Sequence, residues 1–319
     1  IWIVNLLLTL LTCGVFAAWA KVRKRRYLRG NTELLGHRFD YRADPRRILV
    51  GNLIVATMFL AYGLFGAVYP WVRLGALVVG IVFLPWIVVR SLAFNAHNTV
   101  YRGMRFHFRR PLSGAVMVYL LEPIAIIFTL GIYYPAWQRS RRQYAISNHR
   151  LGDAFFHFEG RNGPFYKAYL LAGLFVLAMC ILGSMVVGLL VQARDATPTT
   201  TLLIPFFVLY GGAIFVARHY LYASLFNHVW NHTGIKDHRF LASMSINRWL
   251  GLQLVNLGAI IVSCGLLYPW AVIRSMRYAL SCLHFSPAGS IDKISRLDGQ
   301  QGSAVGDATA EFIGLDFGL

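Results

Sequence analysis

The sequence predicts an all-α fold: a polytopic helical membrane protein with internal repeats, two long helical hairpins, three shorter segments that span or re-enter, and short extended pieces at the interface. Three observations carry that expectation. Apolar runs long enough to cross a bilayer recur along the chain, charge is scarce but strongly basic, and one pattern of aromatic, arginine and asparagine-threonine residues is written several times.

Hydrophobic residues make up 57% and charged residues 14% of the 319 positions, with a mean hydropathy of +0.53. A soluble domain carries roughly 25% charged residues, and a helix needs about 20 apolar residues to cross a bilayer. The net charge of +18 lies in short segments flanking the apolar runs. Cytoplasmic loops place Lys and Arg there to meet anionic head groups. Basic and aromatic residues alternate over 102–110, but the overall placement argues for membrane lipids, anionic ones above all, and against a nucleic-acid partner.

Taken in order, the apolar runs fall at 1–20, 48–71, 74–94, 113–137, 167–193, 201–226 and 249–273. The first is followed by a dense basic stretch over 21–47 and lacks a small-residue cleavage site, so it does not read as a removable signal peptide. The absence of an initiating Met suggests that sequence upstream is missing. The second and third runs, and the fifth and sixth, are joined by short turns and read as helical hairpins. Residues 1–286 then form one repeat-built transmembrane domain. The Gly-, Ser- and Asp-rich stretch 287–319 reads as an exposed tail.

With Trp19 and Trp86 at position zero, Arg23 and Arg90 stand at four, and Tyr27 and Phe94 at eight. Asn31-Thr32 and Asn98-Thr99 follow, then Gly36 and Gly103, then Phe39 and Phe106, without a gap. Further windows begin at Ala136 (Tyr144, Asn148, Phe156), at Tyr220 (Thr233, Phe240) and at Trp270 (Arg274, Tyr278). Positions zero, four and eight share one helical face. The unit therefore reads as a helix leaving the membrane, a Gly-containing turn and a short extended piece with strand-like alternation.

The runs before the first, third and fifth windows also correspond. Asn5, Glu122 and Asn256 each lie nine residues before Gly14, Gly131 and Gly265, and Thr12, Thr129 and Ser263 lie two before them. If 113–137 and 249–273 each cross once, the later windows face the opposite side and the repeats are inverted. If those runs are broken and re-entrant, all the basic segments face the cytoplasm, which the charge of 138–167 favours.

These motifs resemble the YjgN-like family of bacterial inner-membrane proteins, a domain of unknown function. The resemblance rests on TCGVFAAWAKVRKRRYLRGNTELLGHRFDY, FTLGIYYPAWQRSRRQYAISNHRLGDAFFHFEG, GLLYPWAVIRSMRY and GDATAEFIGLDFGL, and covers essentially the whole chain. It implies a multi-pass protein of the bacterial inner membrane and an FxFxG-like stretch ahead of residue 1. It supplies no activity, substrate or catalytic residue. Ala17-Ala18 departs from the Tyr-Pro-Trp form of the other copies.

Glu122 is an acidic residue inside an apolar run, where a charge costs on the order of 2.5–3.5 kcal/mol on insertion scales. It reads as a proton- or cation-coupling group, with Asn5 and Asn256 as its pseudo-equivalents at a polar midplane site, or as a protonated, hydrogen-bonded carboxyl. Arg23, Arg90 and Arg274, with Trp19, Trp86 and Trp270, read as contacts for lipid head groups or an anionic solute, or as orientation signals alone. His228 and His232 share a helix face but have no third ligand at zinc spacing. Cysteine spacing supports neither a disulfide nor a metal. No hydrolase, nucleotide-binding or metalloprotease motif occurs, so no catalytic residue, metal or cofactor is expected. The leading expectation is passage of a small solute through a polar midplane site. The alternative is a non-catalytic scaffold or anionic-lipid-binding protein.

Overall fold

The computed structural model describes residues 1–193 and 199–288. The expected tail at 287–319 lies almost wholly outside those residues, as does most of the turn after the fifth apolar run. The chain divides into two compact units, Ile1–His157 and Phe158–Ala288.

The first unit holds α1 (Trp2–Leu11), α2 (Ala17–Gly30), β1 (Glu33–Leu34), β2 (His37–Tyr41), α3 (Pro45–Val68), α4 (Pro70–His97), β3 (Thr99–Tyr101) and β4 (Met104–Phe108). It continues through α5 (Leu112–Val116), a π-helical turn Met117–Leu121, α6 (Glu122–Phe128), α7 (Tyr134–Ser147), β5 (His149–Leu151) and β6 (Ala154–Phe158), whose last residue belongs to the second unit. The second unit holds α8 (Asn162–Ala193), α9 (Thr199–Asn231), β7 (Thr233–Ile235), β8 (His238–Ala242), α10 (Ile246–Val262), α11 (Tyr268–Ser281) and β9 (Leu283–Ser286).

Nine strands are present among the described residues, so the all-α expectation is corrected. The extended pieces are not isolated. The Phe-bearing strands β2, β4 and β8 are each the second arm of a two-residue hairpin, and the other edge of each pairs with the first strand of the next repeat. Phe39 opposes Tyr101, Phe106 opposes Leu151 and, in the second unit, Phe240 opposes Phe285. Buried backbone groups need partners, and each repeat obtains them from its neighbour. Phe39, Phe106 and Phe156, one position of the repeat, stack in series at 6.4 and 6.2 Å.

The repeated Gly lies in a turn, as expected, but one between two strands rather than between helix and strand. The helices end on Asn-Thr: Asn31, Asn98 and Asn148 donate their amides to the carbonyls four residues back at 2.7–2.9 Å. Thr32, Thr99 and Thr233 do the same with their hydroxyls. These side chains satisfy carbonyls that a helix end leaves open. Gly36 and Gly103 lie farther on, in strand turns where Leu35-Gly36 and Arg102-Gly103 both take positive φ, the type I′ geometry that suits two-residue hairpins.

Among the described residues, four helical segments are long and apolar enough to cross a membrane: Pro45–Phe65, Trp71–His97, Asn162–Leu190 and Ile204–Asn231. Asp44 caps the first through Arg46 N at 2.9 Å, with Pro45 at the first helical position, where its missing N–H is harmless. Apolar side chains on these helices are largely exposed, for example Leu60, Leu64 and Leu170. In α4 and α9 the basic or polar stretch continues the same helix. In the other three copies a separate helix follows a reversal.

His149 occupies the repeat position filled by Thr32, Thr99 and Thr233, and its Nδ1 lies 2.6 Å from Ala145 O as the carbonyl cap. Burial pushes its pKa below the usual imidazole value. His107, opposite Arg150 across β4 and β5, is lowered first by burial and then by Arg150. A histidine lowered in the folded state contributes its full stability above the unfolded pKa of about 6.5, and loses it as pH falls. Thermal unfolding should therefore occur at lower temperature at about pH 5 than at about pH 7.5. His149→Thr keeps a cap and should shrink that difference; an unchanged difference would contradict the assignment.

Candidate functional site

The candidate site is a cross-link inside each of three helical reversals, α1–α2, α6–α7 and α10–α11. Each reversal has the same backbone. Cys13, Leu130 and Cys264 take φ of 47°, 50° and 49°, and Gly14, Gly131 and Gly265 take 91°, 89° and 89°. Such a pair of left-handed residues ends a helix and aims the chain back.

In the middle reversal every amide from Thr129 to Tyr134 has an acceptor. Gly131 N reaches Ile126 O at 2.8 Å, and Tyr133 N reaches Thr129 Oγ1 at 3.1 Å. The corresponding bonds recur at Phe16 N to Thr12 Oγ1 and at Leu267 N to Ser263 Oγ. One hydroxyl residue thus closes the first helix and caps the second. Pro135 and Pro269 stand in the first turn of their helices, where no intrahelical donor is lost. Ala18 can take that place in the first copy for the same reason.

Two antiparallel helices bring together residues equally far from the turn. Asn5 and Arg23 are each nine residues from Gly14, and Arg23 Nη1 donates to Asn5 Oδ1 at 3.1 Å. Asn256 and Arg274 are each nine from Gly265, and Arg274 Nη1 donates to Asn256 Oδ1 at 3.3 Å. The Asn256 amide is also held by Ser275 Oγ at 3.0 Å and Ala271 O at 3.3 Å, and Gln253 binds Ser275. In the middle reversal the same two positions are Glu122 and Ser140, and the Ser140 side chain hydrogen-bonds the Glu122 carboxyl. Asn5, Glu122 and Asn256 are all buried.

The middle reversal differs again at its first helix. The π-helical turn shifts backbone pairing to five residues, so that Glu122 N bonds to Met117 O. Pro123 follows with no N–H, which in the same register leaves Val118 O open. The Trp137 indole fills it, with Nε1 donating at 2.7 Å.

The expected aromatic-arginine pairs are present with one change of partner. Arg90 lies 5.4 Å from the Trp86 ring and Arg274 lies 5.0 Å from Trp270. Arg141 pairs with Trp137 at 4.7 Å. Arg23 lies over Phe16 at 5.8 Å, and Trp19 stacks on that phenylalanine. His228 and His232 are ring neighbours at 4.3 Å, but His232 Nδ1 is directed at His228 O in the cap position. Among the described residues no group of three or more metal-ligating side chains occurs.

The structure thus brings Asn5 to Arg23 and Asn256 to Arg274, a pairing that sequence reasoning did not make. Ser140, Ser275, Gln253 and Phe16 were missed altogether. The signal was available, because residues equidistant from a helical reversal must face each other.

Long apolar helices together with repeated Arg-aromatic pairs define a helical membrane protein. The chain belongs to the family described as "Bacterial protein of unknown function (DUF898)", which matches residues 1–312. It is 30% identical over 140 residues to the inner membrane protein YjgN of Escherichia coli (strain K12), covering 42% of this chain and 34% of that protein. It is 28% identical over 133 residues to the protein of that name from Salmonella typhimurium, covering 41% of this chain and 34% of that protein. The chain thus spans about a third of the length of the relatives it matches. No solved structure matches it.

If the cross-links hold the reversals shut, Asn5 and Arg23 are coupled. A double-mutant cycle of Asn5→Ala and Arg23→Ala, read by unfolding in detergent, should give about 1.5 kcal/mol of coupling, as for a hydrogen bond to a charged group. Additive effects would show that the pair contributes nothing.

Proposed function

We propose that this protein is a non-catalytic, multi-pass protein of the bacterial inner membrane that holds anionic lipid at its cytoplasmic face. In this reading the short apolar helices dip into the bilayer and return. The basic helices α2, α7 and α11 then lie among the head groups.

The observation that carries the reading is the pre-set arginine. Arg23 and Arg274 are each fixed by an asparagine oxygen and lie over an aromatic ring. A guanidinium has five N–H donors, so donors remain for a phosphate after one is spent on asparagine, and their direction is already set. The tips of the reversals support the same reading. Phe128, Leu130 and Ile132 are 82%, 93% and 71% exposed, and Val262 is 87% exposed, surfaces that suit hydrocarbon better than water.

Passage of a small solute, the leading expectation from sequence, would need the buried polar residues to share a path. Each of them instead bonds within its own reversal, which favours the lipid reading.

Native mass spectrometry of the purified protein should show bound phosphatidylglycerol or cardiolipin. The combined variant Arg23→Ala, Arg90→Ala and Arg274→Ala should lose most of it, several-fold against wild type, while keeping its helix content. Equal anionic lipid on the variant would refute the assignment. Glu122-dependent solute flux in reconstituted vesicles would favour the transport reading instead.

A further inference from the structure

The three reversals are one design with a substitution in the middle copy. In the outer two, the residue nine before the glycine is an uncharged amide and the residue nine after is an arginine. In the middle copy these are Glu122 and Ser140. Both residues change together. The cation is gone from one helix and an acid has appeared on the other.

The consequence is visible at the carboxyl. Glu122 is 8% exposed, and its Oε2 is buried without a hydrogen-bond partner. The Ser140 hydroxyl supplies the hydrogen bond that the carboxyl does have. A carboxylate left in this state is costly in an apolar setting, and one bound proton removes the charge. A metal ion would want several oxygen ligands, and among the described residues no cluster of three or more acidic, His or Cys side chains exists. A proton needs only the one open oxygen.

We propose that Glu122 Oε2 is an exchangeable proton-binding site, on the side chain that stands where the outer reversals place an asparagine amide. The proton comes from the aqueous phase, forms the Oε2–H bond, and returns to water when that bond breaks. The segments packed against α6 are the π-helical turn and α7. Their titratable and charged groups are Tyr119, Tyr134, Arg139, Arg141, Arg142 and Tyr144. Of these, Arg139 acts on the carboxyl through space. It gives the ionised form a compensating charge, so that the proton can leave. This inference is independent of the lipid reading, since it concerns a residue that binds no head group there.

The test is infrared spectroscopy of the full chain in lipid vesicles, titrated from about pH 4 to about pH 10, which brackets ordinary and raised carboxyl values. Wild type should show a protonated-carboxyl C=O band that disappears in a titration step, and Glu122→Gln should lose that band completely. The double exchange Glu122→Asn with Ser140→Arg rebuilds the pairing of the outer reversals. It should fold with wild-type helix content and show no titrating band, so a folding defect in Glu122→Gln alone leaves the test intact. A band that survives either change would overturn the proposal. So would a band absent from wild type, or one that persists unchanged through the whole range.

Discussion

A chain that reverses inside hydrocarbon must leave no backbone amide without an acceptor, because no water is there to supply one. The rest of this structure depends on how the three reversals satisfy their own backbone amides. Thr12, Thr129 and Ser263 each end one helix and accept the amide that opens the next, while the two left-handed residues bond back into the first helix. Once the turn is closed in this way, a helix too short to cross can still be stable in the bilayer. At 1.5 Å per residue, α10 with its 17 residues reaches roughly 25 Å, short of a core about 30 Å thick.

The reversal also fixes everything that lies a set distance from it. Antiparallel helices leaving one glycine bring residue minus nine to residue plus nine. The cross-links, the arginine orientation and the anomaly at Glu122 all follow from that geometry. Farther out, the second helix ends on its cap and the chain becomes a strand. That strand finds its hydrogen bonds on the next repeat, as Phe39 does opposite Tyr101. Repetition thus serves the backbone as well as the side chains. A repeat standing alone would expose an unpaired strand edge.

Much of this was legible in the sequence. The register of the windows and the correspondence of Gly14, Gly131 and Gly265 both match real structural positions. The strands were not legible as a sheet. Elements such as Glu33–Leu34 and Thr99–Tyr101 are two and three residues long, too short for alternation to declare them. One partner of Thr99–Tyr101 also lies in another repeat, at a separation no local pattern records. The turn at Gly36 was legible, but not that a strand precedes it, since a turn after a helix and one between strands both favour glycine. The cross-links were missed although their spacing was known, because the windows were compared with each other and never folded about the glycine.

The central claim is that the middle reversal returns the chain to the side it came from. Cysteines placed at Arg102 and Arg150, before and after that reversal, can be labelled with a membrane-impermeant thiol reagent in an otherwise cysteine-free protein. Both positions should be silent in intact cells and reactive in inside-out vesicles. Labelling of one position in intact cells and the other only in inverted vesicles would show that the segment crosses, and would contradict the account.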